Sequence, residues 1–290
     1  MTVRVVADST SYVPRRLRDE LGIAVVSLSA ELEGVSYPDD ADDYGPYFAA
    51  LAATDGFPTT SQPSVQAMVD LFERPVSEGH EVVGVFISQL MSGTYANALL
   101  ARDLVRERHP DAVIEIVDGR SNSMELGMAA LAAARAAAGG ADVAGVVAAA
   151  EERTLHTRFL FAPLTLEYLR RGGRIGNAQA LLATLLQIHP VLTVVDGVTD
   201  TLAKVRTLTK AHDLMVDTFA ADIRDKGGLD EVYVHYIADA EAGRRFAERI
   251  EAAAGRPVEI VPVGPGVGSH VGPGTVAVVY ATRDLMRKSG

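Results

Sequence analysis

The chain has 290 residues, of which 48% are hydrophobic and 22% charged, as is typical of a globular protein with a sizeable core. It contains no cysteine, which excludes disulfides, thiolate metal ligands and a catalytic thiol. The formal net charge of −11 argues against a general nucleic-acid binder, since such proteins present a basic face.

The first half of the chain alternates predicted strands and helices. Apolar periodicity predicts strands at 3–10, 23–32, 81–88 and 112–119, and helices at 14–21, at the end of 34–54, and at 65–76, 95–108, 123–138 and 142–156. Asp40 or Asp42 is the expected N-cap of the helix within 34–54. The alternation favours a mostly parallel sheet with helices on both faces. Polar loops after the first and third strands would then meet at its carboxyl edge.

The pattern changes after residue 157. Residues 176–187 predict a helix, and the segments 189–197 and 198–208 predict a hairpin across an Asp-Gly turn. A helix at 209–227, a strand at 231–239, a helix at 240–255 and a strand at 257–264 follow. We therefore expect two closely packed α/β domains, 1–155 and 156–290, the second built on a mixed sheet.

The sequence shows no signal for membrane insertion or export. Its start, MTVRVVADST, predicts a strand and a turn instead of the apolar run of a secretion signal. Arg135, Gly139 and Asp142 interrupt the alanine-rich segment 126–150, so no stretch of about 18 apolar residues is available to span a bilayer. We expect a cytoplasmic protein without stable membrane insertion.

Five short polar segments carry the candidate site residues. These are Thr60 and Ser61 in TTSQPS, Ser92 in SGTY, Arg174 in RRGGRIG, Arg206 in KVRT and His270 in GSHVGPG. Each has a simple structural explanation, as a cap, a chain reversal or an exposed loop residue. Together they supply hydroxyls, a histidine and arginine, with little carboxylate apart from Asp8. Such donors favour an anion-binding site, because a ligand carboxylate that is buried on binding needs several hydrogen-bond donors to offset its desolvation.

The segment Ser92-Gly93-Thr94 stands where a predicted strand is followed by a helix. A helix start offers unpaired N–H groups that suit an anion, and Ser92 or Thr94 could equally be an N-cap. A Ser-His-Asp set of Ser92, His270 and Asp8 is conceivable, but Ser92 lacks the G-x-S-x-G setting. The segment GPGVGSHVGPG is not a G-x-G-x-x-G fingerprint, and neither a phosphate-binding loop nor metal-ligand spacing occurs.

These motifs, taken together, resemble the DegV family of bacterial fatty-acid-binding proteins, which includes the B subunits of fatty acid kinase. The resemblance covers essentially the whole chain. It is carried by VADST near the N-terminus, TSQPS from Thr60, SGTY from Ser92, LRRGGRIG from Leu169, KVRT from Lys204 and HVGPG from His270. One departure is His189, which stands where the family commonly has lysine.

The resemblance implies that two α/β domains hold one long-chain fatty acid, such as palmitate, between and within them. Its carboxylate would be bound by Thr60, Ser92 and His270, with Ser61 adjacent, and by either Arg174 or Arg206. Of the two arginines, Arg206 is slightly favoured. A predicted helix over 178–188 presents an apolar face for the acyl chain, formed by Leu181, Leu182, Leu185, Leu186 and Ile188.

In this interpretation the protein is a carrier without a cofactor or metal, not an enzyme. It would present the carboxylate to a separate ATP-binding kinase subunit, which makes acyl phosphate for phospholipid metabolism. Arg170 and Arg171 would contact that partner, although a solvated basic turn explains them equally well. Two other functions stay open: an esterase that uses Ser92 and His270, and a regulatory protein that binds no ligand.

Overall fold

The computed structural model describes residues 2–286, except for the side chains of residues 183–187. Its first half contains strands β1 (Val3–Asp8), β2 (Ala24–Val26), β3 (Ser29–Leu32), β4 (Val35–Pro38), β5 (Thr59–Ser61), β6 (Glu81–Phe86) and β7 (Ile114–Asp118). The helices are α1 (Arg15–Leu21), α2 (Gly45–Ala52), α3 (Val65–Ser77), α4 (Thr94–Arg108), α5 (Ser123–Ala138) and α6 (Val143–His156).

The first sheet is parallel throughout, in the order β2-β1-β6-β7. Its strands are nearly continuous apolar runs, as expected for a sheet covered by helices on both faces. The chain leaves β1 toward β2 on one side and later returns to β6 on the other. The crevice between the ends of β1 and β6 is therefore a topological switch point, where ligands bind in open α/β sheets.

The predicted strand over 23–32 is divided between two sheets. Its first part is β2, whereas β3 pairs with β4 and β5 in a separate antiparallel sheet of three strands. Residues predicted as loops, 35–38 and 59–61, are thus strands. The predicted caps Asp40 and Asp42 are wrong, because α2 begins at Gly45 after Tyr44 and has no side-chain cap.

The second half of the chain forms a six-stranded mixed sheet. It contains β8 (Thr157–Ala162), β9 (His189–Val195), β10 (Val198–Val205), β11 (Leu229–Tyr236), β12 (Glu259–Pro262) and β13 (Val276–Thr282), with helices α7 (Glu167–Arg171), α8 (Leu208–Asp225), α9 (Ala240–Ala254) and α10 (Pro265–Val271). The order is β10-β9-β8-β13-β11-β12, and only the β11–β12 pair is parallel. The predicted α/β class, with one parallel and one mixed sheet, is confirmed.

Two segments of the second half differ in conformation from their predictions. Residues Gly176–Gln187 form a 3-10 helix instead of an α-helix. His270 lies in the short helix α10, not in a loop. A 3-10 helix has three residues per turn, so the apolar face drawn for 178–188 with a period of 3.6 does not apply.

Helix α5 joins the two sheets into one core. It packs against β1 and β6 of the first sheet and against β8 and β13 of the mixed sheet. Met124, Leu126, Met128 and Leu131 are fully buried, and small alanines fill most of the remaining turns. A helix that is apolar all round is stable only when it is buried on all sides. One buried hydrophobic cluster, to which α5 belongs, therefore includes residues of both sheets, while two further clusters lie elsewhere in the described chain.

Candidate functional site

A cavity of about 750 Å³, part of it open to solvent, lies between the parallel sheet and the mixed sheet. Thr10 follows β1, and Ile87, Met91 and Ser92 follow β6, so the predicted polar loops do meet at one edge of the first sheet. The opposite wall is the inner face of the mixed sheet.

Most of the buried side chains that line the cavity are apolar. Its walls include Leu28, Phe159, Phe161, Ile237, Val263 and Ala277. Phe159 and Phe161 point to the same face of β8 because they are two residues apart, and their ring centroids are 5.0 Å from each other. Among the described residues that line the cavity there is no aspartate or glutamate. Such a site suits a long apolar ligand that carries no positive charge.

Thr60 and His270 form a hydrogen-bonded pair in the cavity wall, with 2.8 Å between Thr60 Oγ1 and His270 Nε2. Burial, and after it the charge of Arg174, lowers the pKa of His270 to about 4. The imidazole is therefore neutral at pH 7 and carries a proton on only one ring nitrogen. His270 Nδ1 is buried and has no hydrogen-bond partner among the described residues.

Ser92 and Arg174 also line the cavity. Ser92 Oγ lies 2.9 Å from Thr94 Oγ1 and accepts from the Thr94 N–H at 3.2 Å, so Ser92 stabilises the turn that starts α4. Arg174 donates from Nε to the Met91 carbonyl and from Nη1 to the Gly172 carbonyl. These bonds fix the guanidinium beside Ser92 and leave Nη2 without a partner among the described residues.

Other predicted site residues lie elsewhere. Ser61 is exposed, since neighbours on a strand point to opposite faces and Thr60 is the one that faces the cavity. Arg206 is exposed just beyond β10. Thr199, near the other end of that strand, does line the cavity. Seven residues at roughly 3.3 Å each place Arg206 about 20 Å farther along the hairpin, beyond the reach of its side chain.

The predicted apolar lining also differs from the structure. Leu181 is buried in the core, and Leu182 and Ile188 pack against that core, but none of the three lines the cavity. The side chains of Leu185 and Leu186 lie outside the described residues. The cavity is bounded in part by strand residues of the mixed sheet, which sequence periodicity cannot distinguish from ordinary core.

The two arginines predicted to contact a partner are exposed on α7. Arg170 forms an ion pair with Glu167 at 2.6 Å. The Arg171 guanidinium stacks 4.1 Å above the ring of Phe57, which lies against Tyr168. The Arg171 contact ties the loop before β5 to the turn that carries Arg174, whereas the Arg170 ion pair lies on the surface.

Sequence reasoning missed His235, which is buried in β11 and lines the cavity. Its Nδ1 lies 2.9 Å from the Val261 carbonyl, and its Nε2 accepts from the Met124 N–H at 3.1 Å. These partners fix the neutral tautomer with the proton on Nδ1, and burial lowers the pKa of His235 to about 4. His235 thus caps α5 and holds the cavity wall. A lone histidine in a predicted buried strand was the available signal.

The site does not favour covalent catalysis. A serine nucleophile needs a hydrogen-bonded base, but Ser92 pairs with Thr94 and His270 pairs with Thr60. Among the described residues, no cluster of His, Asp and Glu is arranged to hold a metal ion, and no helix is long and apolar enough to cross a membrane. What the geometry offers is a pocket with polar donors and one cation at its entrance.

Comparisons with known proteins agree with this architecture. A family model described as "Uncharacterised protein, DegV family" matches residues 2–283. A DegV domain-containing protein of Clostridium acetobutylicum is 42% identical over 287 residues, covering 99% of this chain and 100% of that protein.

Two solved structures resemble the chain along nearly its whole length. A DegV family protein from Thermus thermophilus, described for its fatty acid binding, has a TM-score of 0.85 and 31% identity, covering 97% of this chain and 100% of that one. A stearic-acid-binding protein from Eubacterium ventriosum has a TM-score of 0.87 and 26% identity, covering 96% of this chain and 98% of that one. On sequence and structure alike, the chain belongs to the DegV family.

Proposed function

We propose that this protein binds one long-chain fatty acid, such as palmitate, and presents its carboxylate to a separate ATP-dependent kinase subunit for conversion to acyl phosphate. The observation that carries the proposal is the cavity itself. Most of its buried lining is apolar, its less buried lining includes Thr60, Ser92, Arg174 and His270, and no carboxylate lines it among the described residues. The fatty-acid binding described for the Thermus thermophilus and Eubacterium ventriosum proteins supports it.

The acyl chain accounts for affinity and the polar entrance for orientation. Burial of a methylene is worth roughly 0.8 kcal/mol, so about 14 of them give an upper bound near 11 kcal/mol before ordering costs. A carboxylate at the entrance would accept from the hydroxyls and from Arg174. Its charge also favours protonation of His270, since an opposite charge nearby raises a histidine pKa.

The kinase step assigns this chain a positioning role. The nucleotide and its phosphates belong to the partner, and this chain would hold the carboxylate in a fixed orientation at the cavity entrance. Arg170 and Arg171, exposed on the helix next to Arg174, are the residues we propose for contact with the kinase subunit.

Protein purified from bacteria is expected to carry about one equivalent of a C14–C18 fatty acid, because the cavity is apolar and lies between two tightly packed sheets. Organic extraction with mass spectrometry identifies the lipid, and native mass spectrometry of the stripped protein measures rebinding. Stripped protein that does not rebind would contradict the proposal. Hydrolysis of an activated ester that disappears in Ser92→Ala would support the esterase instead.

Gly172→Ala is expected to lower fatty-acid affinity by about five- to tenfold. A Cβ at this position would overlap His270 Nδ1 and lie 2.9 Å from the Tyr168 carbonyl oxygen, so the imidazole has to shift, which disturbs its hydrogen bond to Thr60. Binding is measured by isothermal titration with palmitate.

Gly173→Ala is the matched control for this change. A Cβ at Gly173 would meet no atom within 4 Å, but the residue has a φ of +71°. Alanine there costs about 1 kcal/mol of backbone strain without touching His270. Equal affinity losses in the two variants would show that destabilisation, not displacement of His270, is responsible.

A further inference from the structure

Asp39 is a fully buried carboxylate in the loop between β4 and α2. Its Oδ2 accepts from Ser9 Oγ at 2.7 Å, and its Oδ1 accepts from the Tyr12 hydroxyl at 2.9 Å and from the Gly266 N–H at 2.6 Å. No salt bridge joins it to a basic side chain of the described chain. Burial of a carboxylate costs desolvation free energy. Its three hydrogen-bond donors offset that cost and hold the group in place.

The Gly266 bond attaches Asp39 to the first turn of α10, 227 positions farther along the chain. Tyr12 completes the attachment, since its hydroxyl accepts from the Val267 N–H at 3.2 Å while donating to Asp39. The first N–H groups of a helix have no partner within the helix. Here Asp39 and Tyr12 accept from two of them, those of Gly266 and Val267.

The glycines of the GPGVGSH segment make this approach possible. A Cβ at Gly264 would lie 2.6 Å from Asp39 Oδ1, and one at Gly266 would lie 2.8 Å from its Oδ2. At Gly268 a Cβ would lie 2.9 Å from the Phe48 ring of α2. The glycine spacing, which fits no dinucleotide fingerprint, serves close docking of α10 on the first half of the chain.

The other end of α10 carries His270, one helical turn after Gly266. Its partner Thr60 is on β5, which pairs with β3, and β3 pairs with β4, after which Asp39 follows. The small sheet therefore holds both members of the pair. It places Thr60 directly, and it places His270 through Asp39 and the rigid turn of α10.

We propose that Asp39 is a positioning residue for the ligand head-group site: by capping the start of α10, it sets the position of the His270 imidazole against Thr60. Asp39 does not line the cavity, so its role there would be indirect. The consequence for ligand binding rests on the proposed function, whereas the consequence for His270 can be observed in the ligand-free protein.

The test compares Asp39→Ala with the unchanged chain by two readouts. The first is the ¹H–¹³C signal of the His270 imidazole in stripped protein, assigned by its absence in His270→Ala. The second is the affinity for palmitate. We expect Asp39→Ala to shift the His270 signal and to weaken palmitate binding by about tenfold. Asp39→Asn, which keeps an oxygen for the Gly266 N–H, should restore most of both.

Tyr44→Phe is the matched control, since it removes a hydroxyl that donates to the backbone carbonyl of the same Asp39 at 3.1 Å and leaves the carboxylate bonds intact. An unshifted His270 signal in Asp39→Ala, or an equal shift in Tyr44→Phe, overturns the proposal. If Asp39→Ala does not fold, Tyr12→Phe carries the same test, because it removes the Val267 cap. A shifted signal with unchanged palmitate affinity supports the positioning role and contradicts the proposed head-group site.

Discussion

Ala277→Leu is expected to weaken palmitate binding by about thirtyfold. Ala277 faces the cavity from β13, beside Phe161 on the neighbouring strand. The three added carbons occupy space that the acyl chain would otherwise fill. Excluding two to three methylenes costs roughly 2 kcal/mol at about 0.8 kcal/mol each, which corresponds to the stated loss. Laurate, four carbons shorter, should lose less affinity, so the ratio of the two dissociation constants is the measurement.

Ala281→Leu provides the control for this effect. Ala281 is on the same strand and the same face, fully buried, but it belongs to the packed core and does not line the cavity. Leucine there overpacks the core and should lower the free energy of unfolding by about 1–3 kcal/mol while leaving chain-length preference unchanged. Palmitate and laurate affinities that are both unchanged in Ala277→Leu would show that the acyl chain lies elsewhere.

The sequence predicts the fold class well because the relevant signal is local. Alternating apolar strands and amphipathic helices specify a parallel sheet whatever the neighbours are. The division of residues 23–32 between β2 and β3, in contrast, is not determined by a local signal. Both halves have strand-like patterns, and the partner strand that each one takes is decided by tertiary packing. The 3-10 helix at 176–187 was missed for a related reason, since apolar content does not reveal the hydrogen-bond period.

For the site, the sequence identifies polar residues in loops better than it identifies the apolar wall. Thr60, Ser92, Arg174 and His270 stand out among loops, and the structure places all four around one cavity. Phe159 and Ala277 look like any core strand residue, because a cavity wall and a packed core have the same periodicity. Asp39 gave no signal, since its role depends on Gly266, 227 positions away.

Arg174→Ala is expected to lower palmitate affinity by about ten- to a hundredfold. This is the largest loss of affinity that we expect from replacing any one of Thr60, Ser92, Arg174 and His270. A hydrogen bond to a charged group is worth about 1.5–3 kcal/mol, and in this site the carboxylate would keep only neutral donors. The Met91 and Gly172 carbonyls would also lose their donor, which loosens the turn next to Ser92. Acyl phosphate formation with a cognate kinase subunit should fall further than affinity, because a misoriented carboxylate can still be retained by its acyl chain.

Arg206→Ala is the control that decides between the two arginines. Arg206 is exposed, and its strand leads about 20 Å away from the cavity residue Thr199, as seven residues at roughly 3.3 Å each require. Its replacement should leave palmitate affinity within about twofold of the unchanged chain, because exposed substitutions away from such contacts have small effects. An affinity loss in Arg206→Ala with none in Arg174→Ala would mean that the hairpin of β9 and β10 moves onto the ligand. A loss of acyl phosphate formation alone in Arg206→Ala would instead place this arginine at the surface that meets the kinase.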